Sequence, residues 1–132
     1  TLMAARANVE LIKGCVLLYP AFNLHEAVRT ACPNRDDIPE SFPLMSMNVS
    51  GDFLRSCYDY DFYEHIPSFP QDVLLFHGDA DKNVPLSYSQ RAAELFPRCD
   101  LRIIPGGEHG FVDPYYWQVI EQATEWLTSR IG

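Results

Sequence analysis

Val73–Phe111 reads VLLFHGDADKNVPLSYSQRAAELFPRCDLRIIPGGEHGF. The run Val73-Leu74-Leu75-Phe76 is continuous and apolar, as in a strand covered on both faces, and it breaks at Gly78. Asp79 and Asp81 follow, and then Val84-Pro85. Ser87 to Phe96 is helical in pattern: Ser87 and Gln90 match a capping box, and Tyr88, Ala92, Leu95 and Phe96 share one face. Pro97 bars its continuation. A second β-type run, Leu101-Arg102-Ile103-Ile104, ends in the Gly106-Gly107 turn that presents His109. Strand, acidic loop, helix, strand and histidine loop make one βαβ unit. The crossover returns the chain to the same edge of a parallel sheet, so both loops lie at its carboxyl end. Asp81 and His109 can therefore meet where open α/β sheets hold their chemistry.

Outward from this unit, Gly14 to Tyr19 (GCVLLY) is another continuous apolar run, closed by Pro20. It predicts a third parallel strand, with Ala21 and Phe22 at its carboxyl end. Thr1 to Asn8 is rich in helix formers and reads as the tail of a helix. At the other end, Asp113 is the expected N-cap and Pro114 the first position of a last helix. Its expected apolar stripe is Tyr116, Val119, Ile120, Ala123, Trp126 and Leu127. Residues 23–70 hold five prolines (Pro33, Pro39, Pro43, Pro67, Pro70) and sustain neither period. So long a patternless stretch predicts an insertion with short helices, a lid over residues 23–66. Phe42, Met45, Met47, Phe53 and Leu54 in it either face a ligand or cover the sheet.

The 132 residues suffice for one domain, 1–132, with a real core. A formal net charge of −8 disfavours a nucleic-acid backbone or an anionic membrane surface as partner. No apolar run approaches membrane-spanning length. Cys15, Cys32, Cys57 and Cys99 lack metal or redox spacing and fit free thiols in a reducing compartment, the cytoplasm. The histidines lack metal-ligand spacing, and Gly106-Gly107 lacks the context of a phosphate loop, so neither metal nor cofactor is expected.

Taken singly, an Asp in a turn or a His in a loop says little. As a pair they carry chemistry. A carboxylate fixes the tautomer of an imidazole and stabilises the imidazolium formed when it takes a proton. Asp79 competes with Asp81 for that role. His77 reads as structural, and His25 and His65 have no role.

VLLFHGDADKNVP together with IIPGGEHGF resembles the carboxyl-terminal half of the α/β-hydrolase fold. The likeness is to serine esterases of the feruloyl and cinnamoyl type, with monoacylglycerol-lipase-like enzymes and acyl-peptidases as neighbours. That resemblance implies an α/β architecture: three parallel strands (14–19, 73–77 and 101–104), flanking helices and the inserted lid. It implies Asp81 as the triad acid and His109 as the base. Phe22, Val84 and Phe111 become candidate contacts for a small-molecule ester, with the acyl or aryl pocket formed by 23–66. The family nucleophile sits in a GxSxG elbow that precedes the acid and base. No serine of this sequence occupies such an elbow. The expected activity is thus the acid/base half of a serine hydrolase, inactive alone. Strand 14–19 should then be covered by the missing amino-terminal half or by another copy of the chain. The alternative is an inactive hydrolase-like module for binding or self-association. A further one is a peptidase or dehalogenase.

Overall fold

The computed structural model describes residues 1–44 and 47–131. Three strands, β1 (Gly14–Leu18), β4 (Asp72–Gly78) and β5 (Cys99–Ile104), form one parallel sheet in the order β1-β4-β5. The register pairs Leu17 with Leu75 and Gly78 with Ile104. Between β1 and β4 lie α2 (Leu24–Ala31), a hairpin of β2 (Ser41–Leu44) and β3 (Met47–Ser50), α3 (Gly51–Asp59) and α4 (Phe62–His65). Helices α1 (Leu2–Ala7), α5 (Leu86–Leu95) and α6 (Tyr115–Ile131) complete the chain.

Strand β4 is buried on both faces because its neighbours supply apolar cover on each side. Val73 and Leu75 face Leu2 and Ala5 of α1, Ala92 of α5, Ile66 and Phe69. Leu74 and Phe76 point the other way, toward Val119, Ala123 and Trp126 of α6. Each such fully buried side chain contributes about 1.5–3 kcal/mol of transfer free energy. Central Val-Leu-Leu-Phe therefore anchors both halves of the core.

Local details differ from the sequence reading at two helix starts. Ser87 lies inside α5, the N-cap position is Pro85, and no side chain caps it. Helix α6 begins at Tyr115, one residue after the expected Pro114. Its buried stripe is Val119, Ala123 and Trp126 with the half-buried Tyr115 against it, while Tyr116 and Leu127 are exposed. Val119, Ala123 and Trp126 are as expected and the stripe differs at its edge, because spacing alone does not say which edge of a stripe meets the sheet.

The insertion has its own small core: Val28, Ile38, Leu54 and Cys57, with Leu24, Cys32, Phe42, Val49 and Tyr58 against it. Leu54 and Phe42 thus pack within the insertion, and Met47 and Phe53 are exposed. Met45 lies outside the described residues. The β2–β3 hairpin had no alternating pattern to announce it. Short polar side chains cap α3 and α4. Ser50 Oγ accepts from the Phe53 N–H at 3.2 Å, and Asp61 Oδ1 accepts from the Tyr63 N–H at 2.9 Å. Tyr88 on α5 ties the insertion to the body by donating to Glu26 Oε2 at 2.7 Å.

Candidate active site

The loops after β4 and β5 are clasped together before either reaches its functional residue. Gly78 and Gly107 lie so close that a Cβ on Gly78 would sit 2.0 Å from the Gly107 carbonyl oxygen. No side chain can occupy that space, so the strand must end in glycine. The Ala80 N–H donates to the Gly107 carbonyl at 3.0 Å, and the Gly106 N–H donates to Asp79 Oδ1 at 2.6 Å. Gly106 adopts φ +74, a left-handed turn that glycine accepts without strain.

This clasp sets Asp81 against His109. The His109 Nδ1–H donates to Asp81 Oδ2 at 2.8 Å. The other carboxylate oxygen, Oδ1, accepts the backbone N–H groups of Asn83 at 2.8 Å and Val84 at 2.9 Å. Burial of the carboxyl opposes its ionisation, but the Val84 N–H, the His109 ring and the Asn83 N–H outweigh it and hold it below the usual carboxylate range. A buried, multiply bonded carboxylate beside an imidazole can only accept, so the imidazole keeps its hydrogen on Nδ1 and leaves Nε2 to act. Among the described residues, nothing is hydrogen-bonded to His109 Nε2. Asp79, the competing acid, is engaged by Gly106 rather than by the imidazole.

Tyr19 completes the site and was absent from the sequence-based candidates. Its ring centroid lies 4.9 Å from that of His109 and 5.1 Å from that of Phe111, the latter edge-on. Tyr19 and Phe111 both hold left-handed backbone, φ 37 and 38, which is uncommon for bulky residues and collects at functional sites. The available signal was positional: Tyr19 directly follows β1, level with the loops that carry Asp81 and His109.

The three candidate substrate contacts fare differently from one another. Phe22 is buried in the core yet lines a groove of about 470 Å³ along β1 with Leu18, Ala21, Leu24 and Phe62. Val84 is buried and acts through its backbone, its N–H on Asp81 and its carbonyl on His77. Phe111 is buried in the α6-side core. His25 Nδ1 donates to the Cys57 carbonyl at 3.1 Å, within the insertion. Among the described residues no three His, Cys, Asp or Glu side chains converge as a metal site, and no helix is long and apolar enough to cross a membrane.

No protein-family model and no curated protein sequence matches the chain. Solved structures do. Est1E from Butyrivibrio proteoclasticus, with ferulic acid bound, superposes with a TM-score of 0.86 at 25% identity, over 98% of this chain and 54% of that one. The mouse alpha/beta hydrolase domain-containing protein 10 matches with a TM-score of 0.75 at 17% identity, over 99% of this chain and 58% of that one. A monoacylglycerol lipase from Paleococcus ferrophilus matches with a TM-score of 0.68 at 19% identity, over 98% and 63%. The chain spans about half the length of the Est1E structure it matches, 54%. With its three-stranded parallel sheet, flanking helices and these esterase and lipase neighbours, the chain is a partial α/β-hydrolase fold.

Proposed function

We propose that the chain supplies the acid and base of a serine hydrolase that cleaves carboxylic esters, with the serine contributed by a segment outside these 132 residues. One observation carries the reading: the 2.8 Å Asp81–His109 bond, made at Nδ1, with Nε2 directed away from the carboxylate. In the reaction His109 Nε2 takes the serine hydroxyl proton as the oxygen attacks the ester carbonyl. It then gives that proton to the departing alcohol, and water repeats the cycle on the acyl-enzyme. Asp81 holds the ring and stabilises the imidazolium formed in between. Three serines of this chain are engaged elsewhere: Ser89 with His77, Ser50 at the α3 cap and Ser68 on the His65 carbonyl. Phe22 and the insertion 23–66 would form the acyl side of the pocket, with Val84 and Phe111 shaping its rim from beneath.

Strand β1 is the terminal strand of the sheet, and two grooves that share Thr1 and Val16 run along it. An open parallel edge is a template for pairing, and the nucleophile-bearing half would fill it. The same edge supports the second reading, an inactive module that pairs with another copy. Free thiols at Cys15, Cys32, Cys57 and Cys99 fit a cytoplasmic setting.

The test is turnover of a p-nitrophenyl ester. The 132 residues alone should show none, because nucleophile and oxyanion donors are missing. A version extended to include a GxSxG segment should turn over, and His109→Ala in it should not. Activity that survives His109→Ala overturns the reading. Dimeric β1-paired chains without activity in any extended version would favour the second.

A further inference from the structure

His77 is wholly buried at the end of β4, and both ring nitrogens are engaged. Nε2 lies 2.8 Å from the Val84 carbonyl oxygen, which can only accept, so the hydrogen is on Nε2. Nδ1 lies 2.7 Å from Ser89 Oγ on α5, so the Ser89 hydroxyl donates to it. Val84 is thereby held by both of its backbone polar groups, its carbonyl by His77 and its N–H by Asp81 Oδ1. His77 Nε2 also lies 3.4 Å from Asp81 Oδ2, the oxygen that receives His109.

We infer that His77 is a positioning residue for the Asp81–His109 pair: braced by Ser89, it pins the Val84 peptide so that the loop closes around the carboxylate and aims Oδ2 at His109. The local chemistry favours this over mere filling of the core. An apolar side chain of similar size would pack as well between β4 and α5, yet would leave the Val84 carbonyl and the Ser89 hydroxyl buried without partners. The network also joins three elements whose relative placement decides the pair: β4 through His77, α5 through Ser89, and the 79–85 loop through Val84. Asp79 and its bond to Gly106 fix the His109 loop from the other side.

The inference rests on the reading of Asp81 and His109 as acid and base, but its test needs no turnover, so the two can fail separately. Imidazole nitrogen NMR on the 132-residue chain should find hydrogen on Nε2 of His77 and on Nδ1 of His109. Ser89→Ala should preserve the fold by circular dichroism while shifting and broadening the His109 Nδ1–H signal. It should also speed hydrogen exchange at the Val84 amide by about threefold or more. His77→Leu should do both more strongly, and His77→Gln, which keeps a donor near the Nε2 position, should restore part of the His109 signal. A hydrogen on Nδ1 rather than Nε2 of His77 would overturn the inference. So would an unchanged His109 signal and Val84 exchange in Ser89→Ala or in folded His77→Leu. Should His77→Leu fail to fold, the tautomer and Ser89→Ala still decide.

Discussion

The β4–α5–β5 unit and the insertion between β1 and β4 achieve order by different means. In the first, long-range backbone pairing does the work. Strand β4 is paired on both sides, Leu75 with Leu17 and with Leu101, and it is buried above and below. In the second, a four-residue-strand hairpin, short capped helices and a local cluster around Ile38 and Leu54 hold the chain. Exposed ion pairs such as Arg35–Asp59 decorate it. The contrast teaches where placement to a fraction of an ångström comes from. Asp81 and His109 stand in loops clasped just beyond the ends of paired strands, whose register cannot slip by one residue without turning both faces inside out. Among its described residues, the insertion is placed by side-chain packing and local caps rather than by pairing with the central sheet.

The sharpest way to break this contrast is to disturb the paired unit. In a version extended to include the nucleophile, Asp81→Asn should lower kcat by roughly ten-thousand-fold, since the imidazole loses the acceptor that sets its tautomer. Full activity in that variant would remove Asp81 from the site. Gly78→Ala should destabilise the 132-residue chain by about 3 kcal/mol in urea unfolding, because the new Cβ overlaps the Gly107 carbonyl. It should also abolish the His109 Nδ1–H signal. In the insertion, Leu54→Ala should cost about 2–3 kcal/mol and leave that signal in place. Loss of the signal there would show that the two regions are coupled. Acid provides a gentler probe. Asp81 is held below its ordinary range in the folded chain, so its ionised form stabilises the fold above about pH 4, the unfolded value. That contribution should fade as pH falls from there through the folded value, and the steepness of acid unfolding should lessen in Asp81→Asn. Arg35→Ala should be smallest, leaving the thermal midpoint within scatter, because the pair it breaks is solvent-exposed.

Residue types and their periods foretold much of the first region and little of the second. Val73–Phe76 and Gly14–Tyr19 announced their strands as continuous apolar runs, and Leu101–Ile104 as a β-type run despite Arg102, on a strand that is only partly covered. The strands nonetheless extend one or two residues beyond the apolar runs at their outer ends, to Asp72, Gly78 and Cys99, where backbone pairing tolerates polar or small residues. The insertion's hairpin escaped notice because Ser41–Leu44 includes Pro43 and the exposed β3 needs no apolar alternation. At the site, the meeting of the acidic loop with His109 was legible from the βαβ order and the resemblance singled out Asp81, whereas Tyr19 was not legible, since its only mark was its place after β1.

By itself, then, the order of residues decided that the chain would build a parallel α/β sheet and would bring an acidic loop and a histidine loop to one rim. Hydrophobic period, glycine and proline are local signals, and they suffice for that. Only the folded chain decided that Asp79 is taken up by the Gly106 N–H, that His77 and Ser89 brace the loop, and that Tyr19 lies against the imidazole. Those outcomes depend on strand register and on which donors burial leaves within about 3 Å, relations between distant residues that no local pattern records.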